Sequence, residues 1–441
     1  MISRGGFFDE TQPIASGRAP GRLDVMGGIA DYSGALVLQL PTQVEATAEA
    51  QWDASDPPSV TVRTTSAAAA GGVPEVRLPL KDLLEPCDAV RARWARDSAA
   101  RWGAYAAGAV TVLHHELAAR FPRGVRILIA SDVPSGKGVA SSAAIEVAAT
   151  RALARLLDLS IPPRELALVC QKVENLVVGA PCGVMDQMTA ACGASGSLMA
   201  LLCQPAELMP PVAMPRDLMF IGVDSGIRHA VAGADYGSVR VGAFMGYRII
   251  ADLSGLKARR AGGAVSVDDP VWNGYLANVS PADWESRFRD RVPERMTGAE
   301  FLSRHDGTTD TATAVEPGRD YAIRQPTAHP IYEHARVQRF RALLVESAAG
   351  AEDAVMARLG ELMYESHESY SACGLGSDGT DFLVALVREA GPAAGLFGAK
   401  ITGGGSGGTI AVLARPGSRA ALEAIAARYR RETGRPAALI A

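Results

Sequence analysis

The sequence predicts a two-domain protein of mixed helices and strands, and three observations predict it. At 441 residues the chain is long enough for two domains with sizeable cores. Short β-branched apolar runs recur along it, separated by longer stretches with helical periodicity. A proline-rich crossing at Pro205, Pro210, Pro211 and Pro215 marks a boundary, giving one domain at 1–212 and a second at 213–441, with an insertion at 255–335.

Residues 1–20 read as a loose lead-in. Arg18–Pro41 reads as a short strand, a glycine turn with embedded charges, and a second strand. Val44–Ala50 and Val60–Thr64 alternate as strands do, and Ala67–Gly72 reads as a flexible loop. Ser98–Arg120 is predicted helical, with Trp102, Tyr105, Ala109, Leu113 and Leu117 on one stripe. The strand-like run Gly124–Ser131 leads into Val133-Pro-Ser-Gly-Lys-Gly-Val-Ala-Ser-Ser-Ala-Ala144, the stretch with the strongest chemical signal. Strand, glycine loop, helix start is a phosphate-binding arrangement, because free amides and the helix dipole favour an anion there. Gly136 and Gly138 let the backbone approach a phosphate, Lys137 adds a point charge, and Ser141 and Ser142 either cap the helix or reach a magnesium ion. The spacing is neither a Walker A nor a Rossmann fingerprint, and the plainer reading is a glycine turn with a serine cap.

That helix runs to about Leu157. Ser160 and Pro162 start another, reaching about Val177, with Glu174 near its end, where the dipole disfavours an acid. Pro181 and Gly183 then turn the chain and deliver Asp186 between Met185 and Met188, where an acid needs a partner or a role. Ser197–Cys203 and Leu218–Val223 read as strands, and a helix follows Asp224 to about Leu253. Residues 255–335 are charged and irregular. Helices are expected at Glu333–Ala348, Ala351–Tyr370, Gly379–Ala390 and Ser418–Thr433, with a closing strand at Ala437–Ile440. Gly398–Leu413 reads as strand, glycine loop, strand, and it has more glycines than a hairpin needs.

A net charge of −4 gives no broad basic field, which argues against nucleic acid or an anionic membrane as partner. No signal-peptide core and no membrane-spanning run occur, and six cysteines without a Cys-x-x-Cys pair read as reduced thiols, so a cytoplasmic protein is expected.

Five ordered motifs resemble those of the galactokinase/homoserine kinase/mevalonate kinase/phosphomevalonate kinase (GHMP) superfamily. Three are Gly21-Arg-Leu-Asp…Asp31-Tyr-Ser-Gly34, Pro134-Ser-Gly-Lys-Gly…Ser141-Ser-Ala-Ala144 and Thr402-Gly-Gly-Gly-Ser-Gly-Gly408. Cys182-Gly-Val-Met-Asp-Gln187 and Arg228-His…Tyr236 are similar to the galactokinase branch. Met26–Gly34, Arg228–Met245 and Ser369–Thr380 are similar to the kinase domains of L-arabinokinases. The glycosyltransferase-like domain that precedes the kinase domain in plant members is expected to be absent. The resemblance implies an α+β, two-domain GHMP kinase fold: an N-terminal domain like ribosomal protein S5 domain 2, a ferredoxin-like C-terminal domain, and the active site in the cleft between them.

It also implies an ATP- and Mg2+-dependent sugar 1-kinase acting on small molecules. Asp186 is then the base or orienting anion for the anomeric hydroxyl, with Arg22 stabilising the developing alkoxide. Ser141, Ser142 and Glu174 hold magnesium, whose preference is for hard oxygens. Pro134, Ser135, Gly136, Lys137, Gly138, Val139, Ala140, Ser141, Ser142 and Ala143 cradle the triphosphate, with Gly403, Gly404 and Gly405 beside the nucleotide and Trp102 near the adenine. Asp31, Gly183 and Tyr236 contact the sugar. Galactokinases carry Glu-His where this chain has Gly28 and Ile29, and that pair serves the hexose's far hydroxyls. Its loss suits L-arabinose, which has the galactose ring stereochemistry without the exocyclic carbon, and gives L-arabinose 1-phosphate and ADP as expected products. The alternatives are a galactokinase or another monosaccharide 1-kinase, and a non-catalytic sugar sensor on the same fold.

Overall fold

Alternating apolar side chains in Val60–Val62 and Val125–Ile129 build the first sheet, and the computed structural model shows it among residues 5–65, 73–228, 234–261 and 264–440, which are the residues described. The loop expected at Ala67–Gly72 lies outside them, as do residues 229–233 of the Arg228…Tyr236 motif. The chain divides into two compact units, each discontinuous in sequence. The first takes residues up to Arg22, Pro41–Ser135 and Val139–Ser195; the second takes Leu23–Leu40, Gly136–Gly138 and the chain from Gly196.

In the first unit, β2 (Leu36–Asp53) pairs antiparallel through Ala46–Asp53 with β5 (Gly124–Ser131). β3 (Ser59–Thr64) runs parallel to β5, and β4 (Glu75–Pro79) is antiparallel to β3. β1 (Ala15–Met26) begins within the expected lead-in, and Phe7 and Phe8 before it are buried, so that segment is ordered by apolar burial. Besides the helices Leu80–Leu83 and Cys87–Arg96, the unit has α1 (Ala104–Leu117), α2 (Ser141–Leu156), α3 (Pro163–Lys172) and α4 (Met185–Cys192). α1 starts later than expected, and Trp102 sits on the preceding 3-10 turn Arg101–Gly103, its indole N–H bonded to the Val73 carbonyl at 2.9 Å.

In the second unit, Leu36–Gln39 of β2 pairs with β6 (Ser197–Leu202). A separate antiparallel sheet sets β7 (Met219–Asp224) between β13 (Thr409–Ala414) and β14 (Ala438–Ile440), with β12 (Leu396–Ile401) outside β13. Val223, Ile410 and Val412 of this sheet pack with Leu383, Val387, Leu422 and Tyr429 from α9 (Asp378–Ala390) and α10 (Arg419–Thr433). Residues 255–335 are more ordered than their composition suggests: β8 (Lys257–Ala261) pairs antiparallel with β9 (Ala264–Asp268), β10 (Arg295–Thr297) with β11 (Asp320–Ala322), and α6 (Gly298–His305) follows β10. Trp272, Trp284, Phe288, Phe301 and Tyr321 make a core with Tyr247 from α5 (Ala234–Leu253) and Ile331 from α7 (Arg324–Glu346). α7 starts nine residues before Glu333 and tolerates Pro330 inside it. α8 (Asp353–Ala372) packs on β12.

Candidate active site

The first unit carries an acid cluster with one arginine. Arg22, at 2% exposure, ends its stay in this unit tied by its backbone N–H to the Val139 carbonyl at 3.0 Å. Its Nε and Nη2 both donate to Asp186 Oδ1, at 2.9 and 2.8 Å. Asp186 stands in the first turn of α4, and its Oδ2 has no hydrogen bond among the described residues. Two donors on one oxygen therefore leave the other to meet a ligand, on a side chain that keeps 23% of its surface. Gly183 lies in the turn just before, where the Cys182 N–H bonds Asn175 Oδ1 at 2.9 Å.

Behind Asp186 the Gln187 amide bridges two buried carboxylates. Its Nε2 donates to Glu174 Oε2 at 2.6 Å and to Glu146 Oε2 at 3.0 Å. Glu174 lies on a π-helical stretch, Val173–Val178, after α3, and also takes hydrogen bonds from Ser142 and Cys182. Burial, and after it the Asp186 charge, push the Glu174 carboxyl up to about 7. Burial, and then the Glu174 charge, push Glu146 well above the ordinary carboxylate range. Glu146 Oε1 is buried and unpartnered among the described residues. Glu146 and Glu174 have no ion pair among the described residues, and the oxygens of Glu174, Ser141 and Ser142 are of the hard type that suits Mg2+. No group of three or more His, Cys, Asp or Glu is arranged to hold a metal among the described residues.

α2 begins at Ser141, and its N-cap is Ala140, in the left-handed region at φ 59° with no side-chain cap bond. The serine cap, one of the two roles the sequence leaves open for Ser141 and Ser142, does not form, and these are the first two helical residues instead. Their hydroxyls are thereby kept for other partners.

The second unit carries Gly136–Gly138 and the 402–408 loop. Gly136 and Gly138 have φ of 69° and 71°, values that favour glycine. A Cβ on Gly138 would sit 3.0 Å from the Thr402 carbonyl, and one on Gly408 2.6 Å from the Lys137 carbonyl, so these loops touch backbone to backbone. Lys137 pairs with Asp224 at 3.0 Å, so its charge is already partnered. Gly403 and Gly405 are buried, and the Ser406 hydroxyl between this run and β13 is buried without a partner among the described residues.

The turn Gly28–Ser33 is a 3-10 helix in the same unit. Asp31 accepts the Tyr32 N–H at 2.7 Å and is 5% exposed. Tyr236 meets Tyr32 edge-on at 6.0 Å. Arg240 makes two bonds of 2.7 Å to Asp310 and lies 5.3 Å from the Tyr32 ring, so the 255–335 segment braces this turn. Ile29 is 1% exposed and packs with Val239, Cys373, Leu375 and Ile401. It is a core side chain, with almost no surface for a ligand.

Sequence reasoning missed the network under the turn. Asp24 and Lys400 form an ion pair of 2.6 Å with neither side chain exposed. Asp24 Oδ1 accepts from the Gly28 N–H at 3.0 Å and from Gln39 Nε2 at 2.7 Å. The Tyr370 hydroxyl accepts the Ile29 N–H at 2.8 Å and donates to the Gly403 carbonyl at 3.0 Å. Glu333 accepts the Gly27 N–H at 3.1 Å and the Ser366 hydroxyl at 2.7 Å. One signal was available: Lys400 interrupts an apolar strand, where a charge is rarely buried without a partner.

Comparison with known proteins identifies the frame. Residues 104–194 match the family profile of the GHMP kinases N terminal domain, and residues 349–432 that of the GHMP kinases C terminal domain. The L-arabinokinase of Arabidopsis thaliana is 42% identical over 98% of this chain and 46% of its own length, so the chain spans about half of that relative. The galactokinase of Actinobacillus succinogenes is 30% identical over 76% of this chain and 72% of its own. The crystal structure of Lactococcus lactis galactokinase complexed with galactose superposes with a TM-score of 0.75, at 19% identity, over 99% of this chain and 95% of that one. Among the described residues no helix is long and apolar enough to cross a membrane.

Proposed function

Because the chain belongs to the GHMP kinase family, we propose that it transfers the γ-phosphoryl group of ATP to the anomeric hydroxyl of a monosaccharide, and that L-arabinose is the sugar it prefers. The observation that carries the chemistry is the Arg22–Asp186 pair, whose geometry leaves Asp186 Oδ2 open to a hydroxyl proton. Phosphoryl transfer asks for an aligned nucleophile and neutralised phosphate oxygens rather than covalent catalysis. Asp186 orients the hydroxyl and takes its proton; Arg22 fixes that carboxylate and offsets charge on the alkoxide. Gly136–Ala143 supplies backbone N–H groups to the phosphates, and Gly403–Gly405 borders the nucleotide. Trp102, on its 3-10 turn, is assigned to the adenine.

Glu174, Ser141 and Ser142 would hold Mg2+, which when bound supplies positive charge to the phosphate oxygens. Asp31, Gly183 and Tyr236 are assigned to the sugar hydroxyls. L-Arabinose is favoured because position 28 has no side chain and position 29 has an apolar one, leaving the exocyclic hydroxyl of a hexose without a partner. The name of the Arabidopsis relative supports the same sugar, and the galactokinase relatives make D-galactose the second reading. Cytoplasmic residence follows from a substrate pool of ATP and free sugar.

A panel of monosaccharides with ATP and Mg2+, read by ADP release, tests this. L-Arabinose is expected to exceed D-galactose in kcat/KM by roughly 10–200-fold, the range that one group more or less on a substrate allows. A preference for galactose refutes the sugar assignment. Absence of sugar-dependent ADP release refutes the kinase and favours a sensor.

A further inference from the structure

Arg63, Arg77 and Arg126 share one face of the first unit's sheet, and the pairing register puts them there. Thr61 of β3 stands opposite Arg126 of β5 on one side and Arg77 of β4 on the other. Paired strands lie roughly 4.8 Å apart, so the two arginines flank the threonine in one row. Arg63 comes two residues after Thr61, on the same face, opposite Glu75. With Phe7 and Asp53 these residues line a cavity of about 440 Å³, large enough for a small molecule. Each guanidinium is held at one edge. Arg126 donates to the Phe7 carbonyl at 2.8 Å and pairs with Asp53 at 3.0 Å. Arg63 donates from Nε to Glu75 at 2.7 Å and lies 4.3 Å from the Phe7 ring centroid. Arg77 donates from Nε to Ser59 Oγ at 2.9 Å. Two groups in the cavity are left over. Among the described residues Arg77 has no carboxylate partner and no bond from either Nη. Thr61 is 7% exposed, and its hydroxyl has no hydrogen-bond partner among the described residues.

We propose that this cavity is a binding site for a phosphate group, free or as the head of a small ester, and it shares no residue with the Arg22–Asp186 cluster. Arg77 supplies an open fork, Thr61 a neutral hydroxyl at the floor, and Arg63 and Arg126 the surrounding positive charge. A guanidinium fork meets two phosphate oxygens at once, which a point charge does not do. Because Ser59, Glu75 and Asp53 already hold the arginines, little side-chain freedom is lost when the anion enters. A plainer role is charge on an edge strand, which deters pairing with another sheet, and β4 ends this sheet. That role asks nothing of Thr61, which lies one strand further in and is buried. Asp9 lies near enough to Arg126 to feel its charge, but its carboxylate is engaged by Thr11 and Gln12. The site owes nothing to the sugar or nucleotide reading above.

Isothermal titration calorimetry on the full chain tests it, with saturating ADP and Mg2+ present so that a nucleotide site does not take the probe. The probes are inorganic phosphate, glycerol 3-phosphate and, as the uncharged control, glycerol. Saturable binding of a phosphate probe at one site per chain is expected, with none for glycerol. Kd is expected to rise roughly tenfold or more in Arg77→Ala, the loss of a charge-assisted fork. Arg77→Lys keeps the charge without the fork, so a smaller rise is expected. Thr61→Val keeps the shape of the floor without its hydroxyl, and Kd is expected to rise there too, with the unligated Tm held. Tighter binding of glycerol 3-phosphate than of phosphate identifies an ester as the ligand, and equal or weaker binding identifies free phosphate; either upholds the site. No binding of either probe to the wild type, or the same Kd in Arg77→Ala and Thr61→Val as in the wild type, overturns it. Sugar-dependent ADP release is expected to be unchanged in Arg77→Ala, so failure of this site and failure of the kinase reading are told apart.

Discussion

Lys400→Met removes the cation that faces Asp24. Neither side chain of the pair is exposed, so water does not replace the lost ammonium. Asp24 keeps the Gly28 N–H at 3.0 Å and Gln39 Nε2 at 2.7 Å. Breaking one side of a buried pair costs about 3–5 kcal/mol, because the remaining charge is uncompensated. The middle of that range, about 4 kcal/mol, is the expected loss. For a cooperative unit of this size each kcal/mol lowers Tm by roughly 2–4 °C, giving a fall of about 8–16 °C. Thermal and urea unfolding, followed by circular dichroism and tryptophan fluorescence, measure it. Adding Asp24→Asn removes the stranded charge and keeps an acceptor for Gly28, so the double variant is expected to regain at least half of the loss. A Tm fall below about 3 °C in Lys400→Met, or a double variant no better than the single one, refutes the reasoning.

Other expectations follow from the same structure. Asp186→Asn keeps the shape but offers no base, and kcat is expected to drop about 10²–10⁴-fold with KM for ATP little changed; intact turnover would remove Asp186 from the mechanism. Glu174→Gln is expected to raise the Mg2+ concentration needed for half-maximal rate by about tenfold or more, and an unchanged requirement would place the metal elsewhere. Burial pulls the His329 pKa down to about 4, with its Nδ1 2.7 Å from the Ser369 hydroxyl. Its folded value lies below the unfolded one, so the unfolded chain takes the proton first. Stability is full above the unfolded pKa of about 6.5 and is lost as pH falls toward 4, by up to roughly 3 kcal/mol. Burial pulls His334 and His367 down as well, so they add to the same slope. His329→Gln is expected to flatten the fall in Tm between pH 6.5 and 4.5, and an identical slope would show that other groups govern it.

The parts of the site legible in sequence were those written in contiguous runs. The strand, positive-φ glycines and helix start of residues 124–156 form as read, because local backbone geometry is encoded locally. The order of motifs then pointed to Arg22 and Asp186, 164 positions apart, as partners, and they are hydrogen-bonded. Tyr370 and Ile29 are separated by 341 positions, Lys400 and Asp24 by 376, and nothing in either neighbourhood names the other. Glu146 is wholly buried against Gln187, 41 positions away, and nothing beside it in the sequence marks that contact. The assignment of Leu23–Leu40 to the second unit was equally hidden, since an apolar strand reads the same whichever sheet receives it. Residues 255–335 hid their core because its aromatic side chains are spaced irregularly and converge only in three dimensions.

Ala140 has a consequence for how this chain can evolve. An alanine held at φ 59° is a poor choice for the entrance of a helix, and glycine or asparagine would sit there with less strain. Asparagine, however, would bring its own oxygen to the amides at the start of α2 and so act as a tethered competitor for an incoming anion. A mutation that improves the resting fold at this point would therefore tax the occupied one, and selection for thermal endurance alone would drift toward an enzyme inhibited by its own loop.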